Sequence, residues 1–372
     1  MYPKLIATEY YLKQLPALTE INDICLSYTF DLRPQKFQPV PLQRFLELGL
    51  YNQHHRVEIC NYAYAHFAAI EPILGNVPVS FHFTMFWLQG DNYDRFYPTN
   101  GNFIEETAAR PEYLAFVRAH LERIADVSIH MGIMYPGADT KLAGTICPRD
   151  AAVRPMDFDT AYRNSLRNIQ HLQKQLSELG YTRPLLIEPS DYHDRRYYHS
   201  LPEYQISPYE YFNEGHIIRR LCEDTGANLL IDIAHTIITC ENLYHTGSLP
   251  DIINYVDEMC GGDYGRIGEI HFGVPYRMDN GLLEDVWPVL SSNPMFPELL
   301  PEYLYSIGKP IEIEYGLFPT YNTQEFWLAC QILKHILRQD TRRLLLPVNF
   351  ETNTAYLAED LATFARYFAE FD

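Results

Sequence analysis

NLLIDIAHTI, residues 228–237, reads as a short buried β-strand that carries an aspartate and, three residues on, a histidine. Leu229, Leu230, Ile231 and Ile233 suit a core. Asp232 does not, because an unpaired buried carboxylate is costly. Either the run is not a strand, or its end opens on a place where a carboxylate and an imidazole are wanted.

Seven other runs share its character: ICLSYTF (24–30), RVEIC (56–60), VPVSFHFTM (77–85), DVSIHMGI (126–133), PLLIEP (184–189), IGEIHFGV (267–274) and PIEIEYG (310–316). Between most of them lie helical patterns. PEYLAFVRAHLERIA (111–125) has Pro in its first turn and apolar residues three and four apart. DFDTAYRNSLRNIQHLQKQLSELG (157–180) opens on a capping Asp and closes on Gly. PYEYFNEGHIIRRLCEDTG (208–226) also ends on Gly, and TQEFWLACQILKHILRQD (323–340) follows the last strand. Eight strands alternating with helices predict an α/β chain folded as a single (β/α)8 TIM barrel. A doubly wound open sheet is the alternative, but no GxGxxG follows the first strand. The surplus length falls at 86–110, 134–155, 190–208 and 274–305, each after a strand. These are expected as long insertions in the loops of the C-terminal face, where barrels build active sites. The barrel is expected over 1–340, with 341–372 as a helical tail packed on it.

The net charge is −19, and no basic run appears, which disfavours nucleic acid and anionic membrane surfaces as partners. No apolar run reaches the length of a membrane span. The first twenty residues carry scattered charges and no apolar segment, so a signal peptide is not expected. Seven cysteines, at 25, 60, 147, 222, 240, 260 and 330, show no metal-ligand spacing. They fit reduced thiols, and the expected location is cytoplasmic.

Ionisable residues recur at the carboxyl ends of six consecutive strands: His82, His130, Glu188, then Asp232 with His235, then Glu269 with His271, then Glu312 with Glu314. One strand histidine alone is more often a satisfied core residue than a ligand. Six strand ends in a row are not explained that way, because a parallel barrel brings them to one rim. Carboxylates and neutral imidazoles together suit Fe, Mn, Zn or Co. Their number exceeds the need of one ion, so two ions sharing a carboxylate are expected. Arg33, at the end of the first strand, and Tyr192 and His193, in the Tyr-rich stretch 191–212, are expected on the substrate side of the rim. No GxSxG elbow and no P-loop occurs. No residue is singled out as the catalytic acid or base.

The motifs LLIEPS, LLIDIAHTIITCENLYH, EIHFG and MDNGLLEDVWPV, with DLRP after the first strand, resemble the DUF692 family of multinuclear non-haem iron-dependent oxidative enzymes. That family is similar in fold to xylose isomerases and endonuclease IV. The resemblance implies a metal set of His82, His130, Glu188, Asp232, His235, His271, Asp285 and Glu314. The family's D-x-H histidine falls on Trp287, and Ala234 and His235 stand where many members have two asparagines, so two irons are expected rather than three. The implied activity is O2-dependent modification of a peptide or small molecule, with the peptide presented by a partner protein. A divalent-metal sugar isomerase or epimerase of the xylose isomerase-like superfamily is the other expectation.

Overall fold

Alternation along each strand separates two environments. Val57 and Ile59, Val79 and Phe81, Val127 and Ile129, Leu229 and Ile231, and Val348 and Phe350 all belong to one buried apolar cluster with the helices. The residues between them, Glu58, Ser80, Ser128, Leu230 and Asn349, are buried too but lie outside that cluster. A sheet with apolar residues on one face and buried polar residues on the other must curl the polar face inward or leave it to solvent.

It curls. A computed structural model describes residues 24–28, 56–60, 67–83, 110–130, 158–192, 213–277, 310–311, 323–340, 342, 345–350, 364–365 and 368. In chain order these form β1 (Ile24–Tyr28), β2 (Val57–Cys60), α1 (Phe67–Leu74), β3 (Val79–Phe83), α2 (Arg110–Ala119) and β4 (Ile124–His130). There follow α3 (Phe158–Leu179), β5 (Leu186–Glu188), α4 (Gly215–Thr225), β6 (Asn228–Asp232), α5 (Ile233–Leu243) and α6 (Leu249–Cys260). The last are β7 (Ile267–His271), β8 (Tyr276–Arg277), β9 (Pro310–Ile311), α7 (Thr323–Gln339) and β10 (Leu346–Phe350). Eight strands make one sheet in the order β1-β10-β7-β6-β5-β4-β3-β2, and every hydrogen-bonded pair in it is parallel. The two end strands, β1 and β2, are neighbours in the chain and lie against each other. Four strands separate β2 from β7 in this order, about 24 Å if the sheet were flat. Yet Nε2 of His271 on β7 is 3.0 Å from Oε2 of Glu58 on β2. Only a sheet rolled into a barrel permits that contact, so the chain is an α/β barrel of the TIM type.

The eighth barrel strand differs from the expectation. Leu346–Phe350 fills the place between β1 and β7, with Cys25 opposite Pro347 and Asn349 opposite His271. Of the expected strand 310–316, Pro310–Ile311 pairs antiparallel with Tyr276–Arg277 in a separate ribbon. Alternation detects a strand but not its partner, and Pro347 removes a ladder donor from the run that pairs. The barrel therefore extends into the stretch expected as a tail. Beyond it, Phe364 packs on Phe272 and Phe350, with both ring centroids 4.9 Å away.

The helices follow local rules. In α3, Ala161, Tyr162, Ser165, Asn168, Ile169, Leu172 and Leu176 are buried, forming one stripe that recurs every three or four residues. Ser248 caps α6 by accepting from the Asp251 N–H, and Gly261 ends it with φ 61°. The expected strand 228–235 is cut short in the same way. The Asp232 side chain accepts from the His235 N–H at 2.7 Å, so Asp232 is the last strand residue and the N-cap of α5.

Candidate metal centre

Among the described residues, five side chains converge at the C-terminal mouth of the barrel. Glu58 on β2, His82 on β3, Glu188 on β5, Asp232 on β6 and His271 on β7 are each at most 1% exposed. His235, in the first turn of α5, stands beside them at 6%. Strand register delivers them: Asp232 pairs with His271, and His130 with Glu188.

Two one-residue shifts of register set this phase. Between β6 and β7 the pairing passes from Leu229–Ile267 to Leu230–Glu269, which leaves Gly268 over. Ile267 thus faces the helices, while Glu269 and His271 face the interior. Between β3 and β4 the same shift leaves Ala125 over and turns Asp126 and Ser128 to the face shared with His82. A side chain at Gly268 would press on Cδ2 of Leu186, which would have to shift to admit it.

Glu188 is the hub. Its Oε2 lies 3.2 Å from Nε2 of His82, and its Oε1 lies 3.4 Å from Nδ1 of His271 and 3.5 Å from Nδ1 of His235. Oδ2 of Asp232 is 4.0 Å from Nδ1 of His271. Other contacts fix the rings. Ser128 Oγ is 2.7 Å from Nδ1 of His82. Nδ1 of His235 is 3.0 Å from the Pro189 carbonyl, which can only accept, so that nitrogen carries the proton and Nε2 is the basic one. Asn349 donates to Oε1 of Glu58 at 3.1 Å.

A second layer lies below. Glu269 is fully buried, and burial first, then the nearby Glu58 carboxylate, hold its carboxyl well above the usual carboxylate range; His271 and Arg56 pull the other way. Arg56 and Asp126 form an ion pair at this level. Burial pushes the Cys25 thiol up to about 12, against the pull of Arg56, so it is not a thiolate. Cys222, Cys240 and Cys260 are likewise pushed up to about 12 by burial.

The donor atoms suit a divalent cation. Glu58, His82 and His271 form one group, and Glu188, Asp232 and His271 another; in each, one ligand atom per residue lies within 4.8 Å of the others. Ligand bonds of about 2.1 Å span about 4.2 Å between donors, so small side-chain shifts close the gap. Carboxylate oxygens and imidazole nitrogens, buried and without thiolates, are the chemistry of Mn, Fe, Co or Zn sites.

Of the residues expected at the site, His82, Glu188, Asp232 and His271 meet in these groups. His235 lies beside them and belongs to neither. His130 ends β4 in register with Glu188, but its side chain lies outside the described residues, as do Arg33, His193, Asp285 and Glu314. Tyr192 is half-buried at the mouth; its N–H donates to Thr239 Oγ1 at 3.0 Å, and its carbonyl accepts from Asn242 at 2.8 Å. Glu58 and Asn349 were not expected. The signal for Glu58 was present, a carboxylate inside the apolar run RVEIC. Asn349 lies in a strand that the alternation passed over.

No protein-family model matches the chain, and no curated protein matches it. Solved structures similar to it include the 3-keto-D-glucoside 4-epimerase of E. coli in its apo form, at 13% identity over 92% of this chain and 99% of that one, TM-score 0.47. A D-tagatose 3-epimerase-like protein is similar at 10% identity over 93% and 99%, TM-score 0.46. D-psicose 3-epimerase in the presence of D-fructose is similar at 13% identity over 94% and 99%, TM-score 0.43.

Proposed function

We propose that this chain is a divalent-metal-dependent isomerase or epimerase acting on a small hydroxylated carbonyl compound of the sugar class. One observation carries the reading: Glu188, Asp232 and His271 converge as oxygen and nitrogen donors at the barrel mouth, with further carboxylates and imidazoles beyond what one ion needs. A divalent cation held there supplies polarisation of a substrate carbonyl. The other requirement is a group that moves a proton at the adjacent carbon. His235 suits that role because its Nδ1–H is fixed on the Pro189 carbonyl, its Nε2 is basic, and it is the most exposed member of the cluster. The reaction then needs no second substrate and no external oxidant.

The test is proton exchange. Protein loaded with Mn2+ or Co2+ is incubated in D2O with a panel of ketoses and aldoses, and NMR follows the C–H beside the carbonyl. Deuterium at that carbon, together with an isomer, supports the reading. His235→Gln is expected to keep its metal and lose exchange by at least about 100-fold.

A second reading rests on a specific feature. The groups Glu58–His82–His271 and Glu188–Asp232–His271 share one imidazole, which is how two ions would be bridged into a multinuclear centre. Two irons and an O2-dependent oxidation of a peptide, brought by a partner protein, would follow. Two irons per chain after anaerobic purification, with O2 uptake and no exchange in D2O, would overturn the isomerase reading in its favour.

A further inference from the structure

The two nitrogens of His271 have different surroundings. Nε2 is 3.0 Å from Oε2 of Glu58, whereas Nδ1 faces Oε1 of Glu188 at 3.4 Å and Oδ2 of Asp232 at 4.0 Å. Glu58 is itself held: Asn349, directly opposite His271 in the sheet, donates to its Oε1 at 3.1 Å. All three side chains are fully buried. An ionised carboxylate can only accept, so the shared proton sits on Nε2. The lone pair of the neutral ring is then on Nδ1, the nitrogen turned toward Glu188 and Asp232.

We infer that Glu58, steadied by Asn349, is a positioning residue that locks His271 in its Nε2–H tautomer and so dedicates Nδ1 to a single divalent-cation site shared with Glu188 and Asp232. This rests on the reading that the mouth takes a divalent cation. A carboxylate behind a ligating imidazole orients the ring and raises its basicity, and losing one weakens metal affinity by about 10–100-fold. The arrangement also decides between one ion and two. An Nε2 that carries a proton for Glu58 cannot at the same time ligate, so the group Glu58–His82–His271 does not form a second site. Glu58 reaches the ring from β2, across the barrel, which makes the tautomer depend on closure of the sheet.

The experiment has two arms on the full chain. In the first, Mn2+ alone is titrated into metal-free protein, and free Mn2+ is followed by EPR. Wild type is expected to bind one ion. Glu58→Gln keeps the stoichiometry of one with affinity lower by about 10–100-fold, while Glu188→Gln loses binding. Asn349→Ala, which leaves Glu58 in place, weakens binding by a smaller factor and keeps the test standing if Glu58→Gln does not fold. In the second arm, long-range 15N–1H NMR of metal-free protein reads the His271 tautomer. Nε2–H is expected in wild type, with a shift toward Nδ1–H in Glu58→Gln. Unchanged affinity in Glu58→Gln overturns the inference, as does a wild-type Nδ1–H tautomer. Two Mn2+ per wild-type chain, one of them lost in Glu58→Gln, would make Glu58 a ligand. A wild type that binds no Mn2+ overturns the inference together with the reading beneath it. One Mn2+ bound with the expected tautomer, but without proton exchange on any sugar, removes only the isomerase.

Discussion

Asp232 gives one oxygen to the fold and turns the other to the site. Its Oδ1 accepts the His235 N–H and starts α5, while its Oδ2 faces His271. Two variants separate these duties. Asp232→Asn keeps a carbonyl oxygen for the cap and removes a charge buried beside Glu188, so the metal-free protein should melt at or above the wild-type temperature while Mn2+ affinity collapses. Asp232→Ala loses the cap as well, at a cost of about 1 kcal/mol. A calorimetric scan of the metal-free proteins, paired with Mn2+ titration, checks both. A Tm drop in Asp232→Asn as large as in Asp232→Ala would show that charge, not capping, anchors this corner. Much of this was legible beforehand. The pair Asp232 and His235 stood out because each is expensive inside an apolar run. Its meaning as a cap was not, since a D-x-x-H spacing fits a ligand pair and an N-cap equally well. Glu58 shows the converse: its burial is as costly, but its partners arrive from β7 and β10, more than 200 residues away, and no local pattern shows them.

Elements reach their places through small devices that alternation does not reveal. At β7, Gly268 absorbs the register shift that turns Glu269 and His271 inward. Gly268→Ala would place a methyl group against Leu186 and should cost about 1–3 kcal/mol by overpacking, measured by urea unfolding. At β10, a clip precedes the strand. Arg342 donates to the Gly265 carbonyl at 2.6 Å, to the Ile267 carbonyl at 2.5 Å and to the Asp340 carboxylate at 2.7 and 2.9 Å. It fastens the link from α7 to β10 onto the start of β7. Burial alone would raise the Asp340 carboxyl, but its hydrogen bonds with Arg342 outweigh that and hold it below the usual carboxylate range. A carboxyl lowered in the folded state contributes stability above its unfolded value and loses it as pH falls through the folded one. Asp340→Asn should therefore be less stable than wild type by about 2 kcal/mol at pH 7. The difference should narrow below about pH 4, as chemical denaturation at each pH would show. Alternation, which puts the eighth strand at 310–316, carries no sign of this clip. PIEIEYG alternates more cleanly than LPVNF, but the latter is the run tied by Arg342 to β7 and paired with β1.

At the scale of the whole molecule, the barrel closes around polar groups. Glu58, His82, Glu188, Asp232, Glu269 and His271 line its interior, together with the ion pair of Arg56 and Asp126. Seven of the eight barrel strands were legible as a pattern of β and α runs; the eighth, Leu346–Phe350, was not. The inward turn of the charges was legible only in part, because two register shifts and one long-range strand pairing decide it. The consequence is thermodynamic. Without a cation, Glu58, Glu188 and Asp232 sit close together in a medium where like charges repel more strongly than in water. With one, the same charges become ligands contributed by several strands, and binding stabilises the folded chain alone. Mn2+ at about 100 times its dissociation constant should add about 2.7 kcal/mol to unfolding stability. The gain should rise with the logarithm of metal concentration and disappear on addition of EDTA. Glu188→Gln should abolish that dependence, because it removes the hub, whereas a variant on the outer apolar face, such as Ile129→Val, should lower stability equally with and without metal. A metal-independent melting temperature in the wild type would mean that the interior carboxylates are balanced by protons rather than by a cation, and the barrel mouth would then be no metal site at all.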